Sequence, residues 1–157
     1  MGKVIGIDLG TTFSAIASLD DMGNPEVIPS IDDNRKITAS AVYVNRNNVI
    51  VGDKALDHLV SEPNRVIVQT KREMENDMVY SIADGVWKQN NGNETETEIY
   101  SPAQISALIL KKLKDYTSDV KRAVITVPAM FAERARQATL DAAKLADIEV
   151  IELINEP

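Results

Sequence analysis

Gly6-Ile7-Asp8-Leu9-Gly10-Thr11-Thr12, lying between the run that begins at Lys3 and the stretch Phe13 to Leu19, decides how the chain is read. Residues 3 to 9 are mostly apolar with β-branched enrichment, and Phe13-Ser14-Ala15-Ile16-Ala17-Ser18-Leu19 alternates loosely with period two. Both are strand signatures, so Gly10-Thr11-Thr12 becomes the turn of a β-hairpin. Asp8 then ends a buried strand, where a carboxylate is costly to desolvate unless a cation or hydrogen-bond donors compensate. Gly10 permits a tight turn and close ligand approach. The successive N–H groups of Gly10, Thr11, Thr12 and Phe13 can form an anion-binding concavity with hydroxyls alongside. The combination suits a magnesium-bound phosphate. It suits equally a plain hairpin whose turn uses Asp, Gly and Thr, and the residues alone leave both readings open.

Outward from the hairpin, Asp20-Asp21-Met22-Gly23-Asn24-Pro25 is dense in turn formers, and Val27-Ile28 follows as a third strand of an antiparallel meander. From Thr38 to Tyr100 the pattern is choppy. Short strands are predicted at Ala41 to Val44, Val49 to Val51, Val79 to Ile82, Val86-Trp87 and Thr97 to Ile99, with a short helix over Lys54 to Val60. The polar tract Lys88 to Glu98, with Asn90-Asn91-Gly92-Asn93, reads as a hairpin loop. Residues 38–100 are therefore expected to be a smaller inserted α+β subdomain, and residues 1–37 with 101–157 the core.

The return to the core begins at Ser101-Pro102-Ala103-Gln104, where Ser101 can cap a helix, Pro102 suits its first position and Gln104 can complete a capping box. Ile105, Leu108, Ile109, Leu113 and Tyr116 give that helix one buried face. Ala123-Val124-Ile125-Thr126-Val127 reads as a strand covered on both faces and ended by Pro128. A second helix follows with the stripe Phe131, Ala135, Ala138, Ala142, Leu145 and Ala146, and Ile148 to Leu153 is expected to be another buried strand. The order is a mixed α/β layout. Asn155-Glu156-Pro157 resembles the start of a further helix, which leads us to expect the N-terminal piece of a longer protein.

Composition narrows the chemistry. The 157 residues carry 17 Lys and Arg against 24 Asp and Glu, a net charge of −7, which argues against binding to nucleic acid. With no cysteine, disulfides, thiolate metal sites and cysteine nucleophiles are excluded, and carboxylates, hydroxyls and Lys must carry any reaction. Asp8 cuts the first apolar run well short of a signal-peptide core, and Gly6 stands where myristoylation wants Ser or Thr. No stretch approaches the ~18 apolar residues of a membrane span. A cytoplasmic location and no membrane partner are the expectation.

Beyond the hairpin, three stretches are specific: Ala123 to Ala129 with Phe131; Arg136-Gln137-Ala138-Thr139 with Asp141-Ala142-Ala143; and Ile154-Asn155-Glu156-Pro157. With Ser101-Pro102, Ile105 and the pair Lys71-Arg72, they closely resemble the N-terminal lobe of the ATPase domain of DnaK-type heat-shock chaperones, the heat shock protein 70 family. The resemblance covers the whole chain. It implies an actin-like ATPase (ribonuclease H-like) mixed sheet with helices. It further implies a cycle of Mg-ATP hydrolysis, with ATP or ADP and Mg2+ as cofactors, that drives binding and release of unfolded polypeptides. Those clients would bind through a substrate-binding domain beyond this chain. A J-domain co-chaperone, a nucleotide exchange factor and a stress-response role are implied with it.

Residue by residue, the resemblance gives Asp8 the Mg ion through its water shell, and Gly10, Thr11, Thr12 and Phe13 the phosphates. Lys71 would contact the γ-phosphate and orient the attacking water, Glu156 would sit beside the metal, and Pro128 and Arg136 would form an interdomain switch. Taken alone, Pro128 is a strand terminator, Arg136 a solvated helix charge, Lys71-Arg72 an exposed basic pair and Glu156 a first-turn carboxylate. His58 is given no role. The chain departs from the family pattern at Phe13, at Ala39-Ser40, at Glu73-Met74-Glu75-Asn76 after the Lys-Arg pair, and at Met130. Other readings of the same fold are a small-molecule kinase, a filament-forming ATPase or a non-hydrolysing scaffold. The isolated piece is expected to bind ATP weakly, to hydrolyse it negligibly, and to dimerise through the face left exposed by a missing second lobe.

Overall fold

The computed structural model describes residues 3–45, 48–76, 78–83, 86–90 and 98–157. The predicted hairpin is present as β1 (Lys3–Asp8) and β2 (Phe13–Leu19), paired antiparallel with Asp8 opposite Ala15. The meander continues into β3 (Pro25–Val27), and a two-residue strand, β4 (Thr38–Ala39), also pairs with β2 through Phe13 and Ala39. Next come β5 (Ala41–Asn45), β6 (Asn48–Val51), the one-turn helix α1 (Asp53–Leu56), a 3-10 turn at Pro63–Arg65 and β7 (Val66–Val68). A second 3-10 turn, Thr70–Glu73, is entered through Gln69 in the left-handed conformation at φ 59°. Strands β8 (Val79–Ala83), β9 (Val86–Asn90) and β10 (Glu98–Tyr100) form one three-stranded sheet, while β6-β5-β7 form another. Most of the hairpin loop expected over Lys88 to Glu98, residues 91–97, lies outside the described residues.

Helix α2 (Pro102–Lys114) starts as its sequence says: Gln104 N–H donates to Ser101 Oγ at 3.2 Å and Ser101 N–H donates to Gln104 Oε1 at 2.8 Å. Such a reciprocal cap satisfies two of the amides a helix start leaves orphaned. Then follow β11 (Val120–Val127), α3 (Glu133–Leu145) and β12 (Glu149–Asn155). The main sheet runs β12-β11-β1-β2-β3, with β4 paired to β2; β1, β11 and β12 are parallel, and β2 and β3 are antiparallel to their neighbours. The mixed α/β class is as the sequence implies.

Ile5, Ile7, Ile16, Ala123 and Ile125 from one face of this sheet form a single core with Ile105, Ile109, Leu110 and Leu113 of α2 and Ala135, Ala142 and Ala143 of α3. Each buried Ile or Leu contributes roughly 1.5–3 kcal/mol of transfer free energy. The alanines leave room for α3 to lie close to the strands. Thr139, also buried, satisfies its hydroxyl on Ala135 C=O at 2.9 Å.

Burial corrects several expectations. β11 is not covered on both faces: Ala123, Ile125 and Val127 are buried, whereas Val124 and Thr126 on the opposite face are only half-buried. β12 is not a buried strand but the edge of the sheet, with Ile151 50% and Ile154 41% exposed. The runs looked continuous because the face opposite α2 and α3 also carries apolar residues. Phe131 precedes α3, Leu145 is half exposed, and Tyr116 lies just beyond α2, where its hydroxyl pairs with Thr38 Oγ1 at 2.9 Å.

Candidate functional site

Three parallel strands end at one edge, and they bring the sequence-predicted residues there. β1 ends at Asp8, β11 at Val127 before Pro128, and β12 at Asn155 before Glu156. Open α/β sheets carry their ligands at the carboxyl ends of parallel strands, because chain reversals and loop amides gather there.

Asp8 is exposed, on the sheet face opposite the one that packs against α2 and α3. The desolvation argument for a cation at Asp8 is therefore corrected, since this carboxylate is not buried. Its register partner on β11 is Thr126, whose hydroxyl donates to Asp8 Oδ1 at 2.9 Å. Among the described residues no basic side chain pairs with Asp8.

The turn beyond Asp8 closes tightly. A Cβ on Gly10 would stand 1.9 Å from the Phe13 carbonyl oxygen, a distance no side chain tolerates, so only glycine lets the backbone fold over itself here. Gly10 N–H is already spent on Ser14 Oγ at 3.2 Å, which removes it from the expected set of ligand donors. Among the described residues the N–H groups of Thr11 and Thr12 have no internal acceptor, and Thr12 and Phe13 are exposed. Of the four residues expected to donate, Gly10 alone is shown to have its amide taken by an internal acceptor, and Thr11 and Thr12 keep theirs unpaired among the described residues.

Lys71, read alone as a solvated cation, is 7% exposed and forms an ion pair with Glu156, which lies 85 positions away in the chain. Its ammonium lies 5.8 Å from the centre of the Phe131 ring, close enough for a cation–π attraction. Glu156 N–H is held by Val127 C=O at 2.8 Å, which ties this carboxylate to the end of the strand beside Asp8. A buried ammonium needs such a partner, because an uncompensated charge there costs several kcal/mol.

Arg136 is likewise no solvated helix charge. Its Nε donates to Phe131 C=O at 3.2 Å and its terminal nitrogen to Asn155 Oδ1 at 2.6 Å, while Phe131 N–H donates to Pro128 C=O at 3.0 Å. Pro128 therefore ends β11 and also opens a turn that Arg136 fastens to the end of β12. Among the departures, Met130 is 87% and Phe13 41% exposed, whereas Met74 is buried and accepts a weak hydrogen bond from Ser106 Oγ at 3.9 Å. Ala39 is buried, and its N–H donates to Asp53 Oδ2 at 3.2 Å. Sequence reasoning gave Ser14, Ser40 and Thr126 no role in the site: Ser14 alone neighbours the Asp8 to Thr12 stretch in sequence, and Ser40 and Thr126 meet it only in the fold.

Among the described residues no group of three or more acidic or imidazole side chains could cage a metal ion. Asp8 Oδ1 accepts the Thr126 hydroxyl, and its Oδ2 has no partner among the described residues. A hollow of about 350 Å³ that includes Met74, Pro102, Arg134 and Asp141 contains none of these residues.

The fold and this edge define an α/β protein that assembles charged and hydrogen-bonding groups where parallel strands end beside a glycine turn. Compared with known proteins, the chain belongs to the Hsp70 family: the model described as Hsp70 protein matches residues 4–157. It is 39% identical over 173 aligned residues to the chaperone protein dnaK of Trieres chinensis, with all of this chain and 28% of the relative covered. It is 38% identical over 159 residues to the chaperone protein DnaK of Thermotoga petrophila, covering 98% of this chain and 24% of that protein. The chain thus spans about a quarter of the length of these relatives.

Proposed function

We propose that this chain forms the first lobe of an Mg-ATP-binding and hydrolysing domain in a chaperone that binds and releases unfolded polypeptides. Residues 1–37 with 101–157 would be its core and 38–100 its inserted subdomain; both three-stranded sheets fall within the latter. The observation that carries the proposal is the convergence of Asp8, the Thr11-Thr12 turn and the Lys71–Glu156 pair on one sheet edge. Asp8 and Glu156 would hold the water shell of Mg2+, which neutralises phosphate charge when bound. The amides and hydroxyls of Thr11 and Thr12 would cradle phosphate oxygens. Lys71, held in place by Glu156 and Phe131, would exchange part of that pairing for the γ-phosphate and orient the attacking water. Phosphoryl transfer asks a protein for positioning and charge neutralisation more than for covalent chemistry, and these groups supply both.

The Pro128–Phe131 turn, fastened by Arg136 to Asn155, would pass the state of this edge to a client-binding domain, with a J-domain co-chaperone and an exchange factor acting on the cycle. A cytoplasmic location belongs to the same proposal. This lobe supplies half a site, so a calorimetric titration with Mg-ATP is expected to give an affinity weaker than micromolar, with negligible phosphate release. Micromolar or tighter binding by this chain alone would contradict the half-site reading.

A further inference from the structure

Resting on the phosphate reading above, we infer that Ser14 and Ser40 are positioning residues for the ligand, acting through a closed ring of hydrogen bonds that locks Gly10. Gly10 N–H donates to Ser14 Oγ at 3.2 Å. The Ser40 hydroxyl donates to Gly10 C=O at 2.8 Å, and the two serine oxygens lie 2.8 Å apart. A serine hydroxyl has one proton to give. Because that of Ser40 is committed to the carbonyl, the Ser14 proton must go to Ser40 Oγ. The ring therefore runs one way: Gly10 N–H to Ser14, Ser14 to Ser40, Ser40 back to Gly10 C=O.

The consequence is geometric. The two peptide planes that flank the Gly10 Cα are both held, so the two soft dihedrals of the most permissive residue in the chain are fixed. Ser14 is 1% and Ser40 5% exposed, which keeps water from replacing either hydroxyl. A further strap, Ser40 N–H to Thr12 C=O at 2.8 Å, holds the far side of the same turn. Ser40 sits between β4 and β5, 26 residues from Ser14, so the turn is braced by the strand that follows it and by a second segment of the chain. With Gly10 locked, the Thr11 and Thr12 amides are aimed before any phosphate arrives, and binding need not order them. Pre-organisation of this kind raises affinity without adding a contact.

The test is an amide-resolved NMR titration of the 15N-labelled chain with Mg-ATP, reading Kd from Thr11 and Thr12. Ser14→Ala and Ser40→Ala are each expected to weaken Kd about tenfold, and the double variant little more than either, because one opening breaks the ring. Ser106→Ala, which removes an equally buried hydroxyl bonded to Met74 sulfur, is expected to leave Kd unchanged and controls for general loss of stability. Should Ser14→Ala not fold, Ser14→Cys, nearly isosteric but a weak donor, reads the same loss. Kd values within twofold of the unsubstituted chain, or an equal loss in Ser106→Ala, would overturn the positioning role and leave the phosphate reading standing. An unsubstituted chain whose Thr11 and Thr12 amides do not respond to Mg-ATP would overturn the phosphate reading, and this inference with it.

Discussion

Removing the two halves of the Lys71–Glu156 pair is expected to have unequal costs, and the inequality follows from their burial. Lys71 is 7% exposed, whereas the Glu156 side chain is 35% exposed. Glu156→Gln leaves a nearly buried ammonium with a neutral partner. Removing one member of a fully buried pair costs about 3–5 kcal/mol, and solvent around Glu156 screens this to about 1–2 kcal/mol. Lys71→Met deletes the cation, retains an apolar stem beside Phe131 and leaves Glu156 a carboxylate that water can reach, so its cost should stay below about 1 kcal/mol. The double variant should then lie close to Lys71→Met alone, with a coupling of about 1–2 kcal/mol. Urea unfolding followed by circular dichroism measures all four corners of the cycle. In thermal unfolding, Glu156→Gln should melt about 2–8 °C below the unsubstituted chain, at roughly 2–4 °C per kcal/mol. Additive effects, or Lys71→Met costing more than Glu156→Gln, would refute the view that Glu156 is there to hold Lys71.

Three further outcomes follow from the same structure. Gly10→Ala should destabilise by more than about 1 kcal/mol and abolish any amide response to Mg-ATP, because its Cβ would meet the Phe13 carbonyl at 1.9 Å; urea unfolding and NMR titration measure the two effects. Ser101→Ala dismantles the cap of α2 and should cost about 1 kcal/mol in urea unfolding, while Ser101→Asp, which keeps an acceptor, should recover most of it. The Asp32 carboxyl is held below its ordinary 3.8, first by the hydrogen bond from Lys112 and then by the charges of Lys112 and Lys54. Its contribution is therefore present above about pH 4 and is lost as pH falls through the lowered value. Because water still reaches both side chains, 23% and 29% exposed, Asp32→Asn should cost less than about 1 kcal/mol at pH 7, and the difference should shrink as pH falls through the lowered value, as read from melting temperatures.

What could be read in advance was local. The hairpin around Gly10 and the cap at Ser101–Gln104 are written in neighbouring residues, where turn and cap preferences act over two to four positions, and both are present. Burial was read less well: Val124 and Thr126 continue an apolar run, yet they face the side of the sheet opposite α2 and α3. Strand β7 was missed because three residues, Val66–Val68, are too few to show a period. The parts of the site that depend on distant contacts gave no signal at all. The Lys71–Glu156 pair, the Arg136 bond to Asn155 and the Ser14–Ser40 ring exist only after three strands end together, and no spacing rule connects residues brought together that way. Asp8 does end its strand at the sheet edge, but the burial argument made for it fails: it stands exposed beside Thr126, and any role would come from what it meets rather than from the cost of burying it.

The central claim, that the sheet edge at Asp8 and the Thr11-Thr12 turn receives a metal-bound phosphate chain, is tested most directly by paramagnetic broadening with Mn-ATP in place of Mg-ATP. The account predicts that Mn-ATP selectively broadens the amide resonances of Leu9 to Phe13 and of Thr126, and that Asp8→Asn removes the effect. Broadening centred elsewhere, or unchanged by Asp8→Asn, would contradict it.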